Sequence, residues 1–161
     1  MVFGDWTPTA WTGRNKKDIK GGENKMTPEE WKEIVNFKPE ENFGNPEMMN
    51  YKFMKFLDRF RAELRIPMII TCGTQGKHVT NSYHYQGRAV DFYLDTKMSL
   101  GAQVALIMDR LMETSLYYNT GLGVYPDWSK PGFHLDNRDY YARWGYKDGK
   151  ELLFQEILEY V

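Results

Sequence analysis

His84 and Asp91 stand seven positions apart in the stretch NSYHYQGRAVDFYLD, residues 81–95, and another histidine, His134, lies in the later segment GFHLDNR. Gly87 falls between the first two and allows a tight bend that brings imidazole and carboxylate together. Asp91 sits between Val90 and Phe92, in a run that is otherwise apolar. If it faces inward, leaving it unpaired costs on the order of several kcal/mol, so its burial demands a cation. Zn²⁺ held by one imidazole and one carboxylate needs a further protein ligand, because catalytic zinc sites keep three such ligands and a water. His134 is the natural third. A plainer reading pairs Asp91 with Arg88 and leaves the histidines as hydrogen-bonded residues near strand ends. His78, in the polar loop KHVTN, is either solvated or close enough to support the site. The single Cys72 excludes an internal disulfide and any CxxC zinc motif. With no evident neighbouring base it reads as a buried structural thiol and receives no role.

These residues need elements to hold them. Residues 66–71, Ile-Pro-Met-Ile-Ile-Thr, read as a buried strand that ends in the loop 72–77. Residues 89–94 read as a second strand, carrying Asp91. Residues 121–125 and 133–136 read as two more, joined by PDWSKPG, and so short a link predicts antiparallel pairing. Helical spacing is strongest where Met49, Phe53, Phe56, Leu57, Phe60 and Leu64 recur after the start signal Asn45-Pro46-Glu47. Thr27-Pro28-Glu29-Glu30 is a capping box that opens a short helix to about Val35. Ser99 caps a helix with Val104, Ile107, Met108 and Leu111 turned inward, and Asp148 is placed as the cap of a terminal helix bearing Leu152, Phe154, Ile157, Leu158 and Val161. Residues 1–25 show no periodicity and read as a loosely held arm that Trp6 and Trp11 could pin to the body. The expected organisation is that arm followed by one α+β domain over residues 26–161.

At 161 residues with 42% hydrophobic content, the chain is long enough to bury the core of a single domain. Its net charge of −1 supplies no basic field for nucleic acid or anionic lipid. No apolar run is long enough to span a membrane, and the N-terminal stretch lacks the apolar core of a signal peptide. The chain is therefore expected to be made in the cytoplasm, and to be a monomer.

The ten residues SYHYQGRAVD match the S-x-H-x-x-G-x-A-x-D signature of the M15 peptidases, zinc D,D-carboxypeptidases and L-alanyl-D-glutamate endopeptidases. GLGVYP followed by GFHLDNR resembles their later segment, and the resemblance extends from about residue 37 to ARWGY at 142–146. It is most similar to the subgroup found in phages and bacteria. It implies a Hedgehog/DD-peptidase-like fold, a small central antiparallel sheet flanked by helices, with Zn²⁺ in an open cleft across it. It also implies metal ligands at His84, Asp91 and His134, a peptidoglycan stem peptide as substrate, and action on the cell wall after release of the phage-lysin type.

Two departures matter. Many relatives place Glu or Asp three residues before the last histidine ligand as general base, where this chain has Pro131, which cannot take a proton. Asp136 is the favoured substitute, because period-two alternation puts it on the same strand face as His134; its alternative role is to orient a ligand or fix the loop through Arg138. Asp127, in the PDWSKPG loop, and His78 are the other candidate catalytic residues. Relatives also commonly carry an arginine in the loop after the first strand, where this chain has Gln75, a neutral donor. Gln75, Ser82 and Tyr125 are the candidate substrate contacts, with Tyr83, Tyr85 and Trp128 beside them.

Overall fold

The capping box at Thr27 forms as its residue types require: the Glu30 N–H donates to Thr27 Oγ1 at 3.2 Å, and the Thr27 N–H donates to Glu30 Oε2 at 2.8 Å. The computed structural model describes residues 26–114 and 116–161, so the arm expected over residues 1–25 lies outside the described residues. Helix α1 (Pro28–Lys32) is shorter than its spacing suggests. Asp58 accepts the Asn36 N–H at 2.6 Å, which holds the chain in a non-helical course past residue 33.

The second start signal opens two elements instead of one. Asn45 caps a 3₁₀ turn (Pro46–Met48), and Asn50 caps helix α2 (Tyr51–Leu64) by accepting the Phe53 N–H at 3.0 Å. Phe53, Met54, Phe56, Leu57, Phe60 and Leu64 are buried on α2. Arg65, in the left-handed conformation, ends the helix. Strand β1 (Met68–Cys72) follows, then a 3₁₀ turn (Tyr83–Gln86) and strand β2 (Ala89–Leu94). Ser99 caps helix α3 (Leu100–Met112), which buries Val104, Ile107 and Leu111 as expected and packs on α2. Strands β3 (Gly121–Tyr125) and β4 (Gly132–Asp136) pair antiparallel, as the short link requires.

The C-terminal region departs from expectation. ARWGYK forms strand β5 (Ala142–Lys147), and Lys150–Leu153 forms strand β6, leaving only Phe154–Ile157 as helix α4. Asp148 does not cap a helix. It and Gly149 take positive φ values, 52° and 76°, and turn β5 into β6 as a two-residue hairpin. The Asp-Gly pair is a hairpin signal, and it prevails over the helical spacing of the apolar residues behind it.

The result is a mixed α+β fold with four α-helices among the described residues and one six-stranded sheet in the order β1-β2-β4-β3-β5-β6. An all-antiparallel sheet was expected, and one pairing corrects that: β5 runs parallel to β3. The loop 137–141 carries the chain from β4 past the start of β3 and reverses it once, so β5 must run the way β3 does. Val90 and Phe92 on β2, Phe133 and Leu135 on β4, and Leu122 and Val124 on β3 face a common core with α2 and α3. No described helix is long and apolar enough to cross a membrane.

Candidate metal centre

Alternation leaves the opposite face of the sheet for polar side chains. There the register aligns a single row across five strands: Cys72 on β1 is opposite Asp91 on β2, Asp91 is opposite His134 on β4, His134 is opposite Gly123 on β3, and Gly123 is opposite Trp144 on β5. Asp91 and His134, 43 residues apart in sequence, are thereby direct cross-strand neighbours.

His84 reaches the row from the 3₁₀ turn. Ser82 caps that turn by accepting the His84 N–H at 3.3 Å, and Gly87 closes it at φ 64°. A Cβ on Gly87 would lie 2.0 Å from the Met48 carbonyl oxygen, so only glycine fits this bend. His84 is 2% exposed.

His84 Nε2 lies 3.1 Å from His134 Nδ1 and 3.3 Å from Asp91 Oδ1, and His134 Nδ1 lies 2.9 Å from Asp91 Oδ1. The outer nitrogens fix the tautomers. His84 Nδ1 is 2.6 Å from the Gly73 carbonyl, which can only accept, so this nitrogen carries the proton and Nε2 carries the lone pair. His134 Nε2 is 2.9 Å from Asp136 Oδ2, so it donates there and presents Nδ1 as its lone pair. With both rings neutral, two lone pairs and a carboxylate oxygen thus face one another, an arrangement that can hold a metal cation. Tetrahedral zinc with ligand bonds of about 2.0–2.1 Å separates its ligand atoms by about 3.3 Å, and the donor triangle has edges of that size. The residues fit the ion.

Electrostatics agree. With the rings protonated and no metal between them, burial alone would raise the Asp91 carboxyl, but hydrogen bonds from His134 and His84 outweigh it and bring the pKa down to about 2. Burial alone would lower His134, but Asp136 and Asp91 raise it to about 8. Asp91 is not paired with Arg88, whose guanidinium donates to the side chain and backbone carbonyl of Asn137.

The other expected site residues are brought to varied places. Asp136 shares the His134 face of β4, as alternation predicts, but it is fully buried and lies against His134 Nε2, the nitrogen turned away from the donor triangle. It accepts from Arg138 Nη2 at 2.6 Å, Arg138 Nε at 2.8 Å and the Gly121 N–H at 3.2 Å. That is the geometry of a carboxylate that orients the His134 ring and is fixed by Arg138, the alternative role expected for it, rather than of one facing the donor triangle. Asp127 is also drawn away: its Oδ2 accepts the Asp148 N–H at 2.6 Å, on the β5–β6 turn. Gln75 is committed within the protein, accepting the Gly73 N–H at 2.8 Å and donating to Asn42. Tyr125 accepts from Trp144 Nε1 at 3.1 Å and stacks on Trp128 with ring centroids 4.2 Å apart.

His78 does come to the site, with its ring stacked on that of His84 at 4.0 Å and 7° between planes. Cys72 lies beside it, Sγ to His78 Nε2 3.6 Å. Burial and the nearby Asp91 carboxylate push the Cys72 thiol up to about 11, which disfavours it as a nucleophile. Two contributors were not foreseen. Trp144 packs on His134 at 5.5 Å, in space that Gly123 leaves open, since a Cβ there would meet the indole at 2.7 Å. The Gly73 carbonyl orients His84, and a backbone atom carries no residue-type signal. Searched against protein-family models, curated proteins and solved structures, the chain matches none.

Proposed function

We propose that this chain is a zinc-dependent peptidase that hydrolyses peptidoglycan stem peptides, as an L-alanyl-D-glutamate endopeptidase or a D,D-carboxypeptidase of the M15 kind. The carrying observation is the convergence of His84 Nε2, His134 Nδ1 and Asp91 Oδ1, with each imidazole oriented from behind. The S-x-H-x-x-G-x-A-x-D signature supports the same reading and with it a Hedgehog/DD-peptidase-like arrangement. Zinc held by these three residues would polarise the scissile carbonyl and supply a bound water that ionises near neutral pH. Asp136 and the Gly73 carbonyl keep both ligand rings in the required tautomer. Proton transfer falls to His78, which stacks on a ligand ring while Asp127 and Asp136 are engaged elsewhere. Trp144, Tyr125 and Trp128 extend the row as an aromatic shelf for the peptide. The protein would reach the cell wall after release of the phage-lysin type and would act as a monomer.

A second reading is a zinc-stabilised module that binds cell-wall peptides without cutting them. Pro131 in the position of the family's base, together with the internal commitments of Asp136, Asp127 and Gln75, favours it. Zinc-loaded protein incubated with purified peptidoglycan separates the two. The peptidase releases new free amino groups and Asp91→Asn releases none. Binding to peptidoglycan without amino-group release supports the module.

A further inference from the structure

Cys72, His78 and His84 form another donor set, with one ligand atom from each lying within 4.8 Å of the others. Its members come from the end of β1, the loop beyond it and the 3₁₀ turn. Cys72 Sγ and His78 Nε2 both donate to the Gln75 carbonyl, at 3.1 and 2.8 Å, so one backbone oxygen gathers the thiol and the imidazole. His78 stacks near-parallel on His84, with ring centroids 4.0 Å apart. The chemistry of this set differs from that of its neighbour: a thiolate and imidazoles suit thiophilic cations, whereas the Asp91 carboxylate suits harder ones.

His84 belongs to both sets but has one lone pair to give, because its Nδ1 proton is held by the Gly73 carbonyl. We propose that Cys72, His78 and His84 form an alternative position for a thiophilic cation, exclusive of the first, so that an ion seated there withdraws His84 from Asp91 and His134. On coordination the Cys72 S–H bond breaks and its proton passes to solvent, the His78 proton leaves Nε2 for Nδ1 with loss of its hydrogen bond to the Gln75 carbonyl, and the freed sulfur and nitrogen electron pairs form the bonds to the metal. Neither donor set requires the chain to be a peptidase. For one that is, cadmium-class ions become inhibitors acting through a ligand swap.

Cadmium titration of the full chain, read by thiolate-to-cadmium charge-transfer absorbance, tests this. One cadmium per chain should bring up the band and release one equivalent of preloaded zinc. Cys72→Ser should lose the band but still bind one zinc, and His134→Ala should keep the band. His78→Gln should raise the cadmium needed by at least the roughly 10-fold that even supporting residues confer on metal sites. No band in the wild type, a band that survives in Cys72→Ser, or zinc and cadmium bound together at one equivalent each would overturn the proposal. Zinc binding by Cys72→Ser reads the Asp91 position separately, so the two sites fail independently.

Discussion

Two nitrogens and one oxygen are drawn within 3.3 Å of one another on the outer, part-buried face of the sheet. Asp136 is the residue on which their order depends, since it holds the His134 proton on Nε2 and is itself fixed by Arg138. Asp136→Asn should therefore lower zinc affinity by roughly 10- to 100-fold while leaving the fold cooperative, measurable by competition with a chelating dye. Protons would compete with zinc for His134. With zinc removed, its pKa of about 8 stands above the ordinary 6.5, so the ion pairs around it stabilise the fold fully below about pH 6.5 and lose that contribution as pH rises through 8. Zinc needs the unprotonated ring, so the rise in Tm on adding zinc should grow between pH 6 and pH 8.5. A rise that shrinks over that range would contradict the assignment.

Each ligand is placed by a different element, and the weakest of these taken alone is the 3₁₀ turn that carries His84. Gly87 ties it to the body: its carbonyl accepts the Asn50 N–H at 2.9 Å just before α2, and its α-carbon faces the Met48 carbonyl. Gly87→Ala should destabilise the protein by roughly 2 kcal/mol or more, from a left-handed φ and a clash with backbone that cannot move aside. In a chain of this length that is a fall in Tm of about 5 °C or more by calorimetry. Much at this scale is legible in sequence. The glycine bend, the Asp91 strand, the apolar stripe of α2 and the caps at Thr27 and Ser99 are all local signals. The hairpin at Asp148-Gly149 was legible too, but the apolar spacing after it, a weaker local cue, suggested a helix.

One sheet separates two functions, with its inner face closing the core against α2 and α3 and its outer face carrying the row from Cys72 to Trp144. The row was not legible, because it depends on strand order and register, which are settled by which long-range pairs bury the most surface. The parallel β3·β5 pairing put Trp144 against His134, and the β1·β2 register put Cys72 beside Asp91. For the same reason Asp136 could be assigned to the correct face of β4 yet not to the correct side of the imidazole. The central claim is that the donor triangle is a zinc site, and isothermal titration of the chelator-treated chain with Zn²⁺ tests it most directly. One ion per chain should bind, with binding lost or weakened by more than the roughly 100-fold upper range of supporting residues in His84→Ala, Asp91→Asn and His134→Ala. No zinc uptake by the wild type, or uptake unchanged in those three variants, would contradict it.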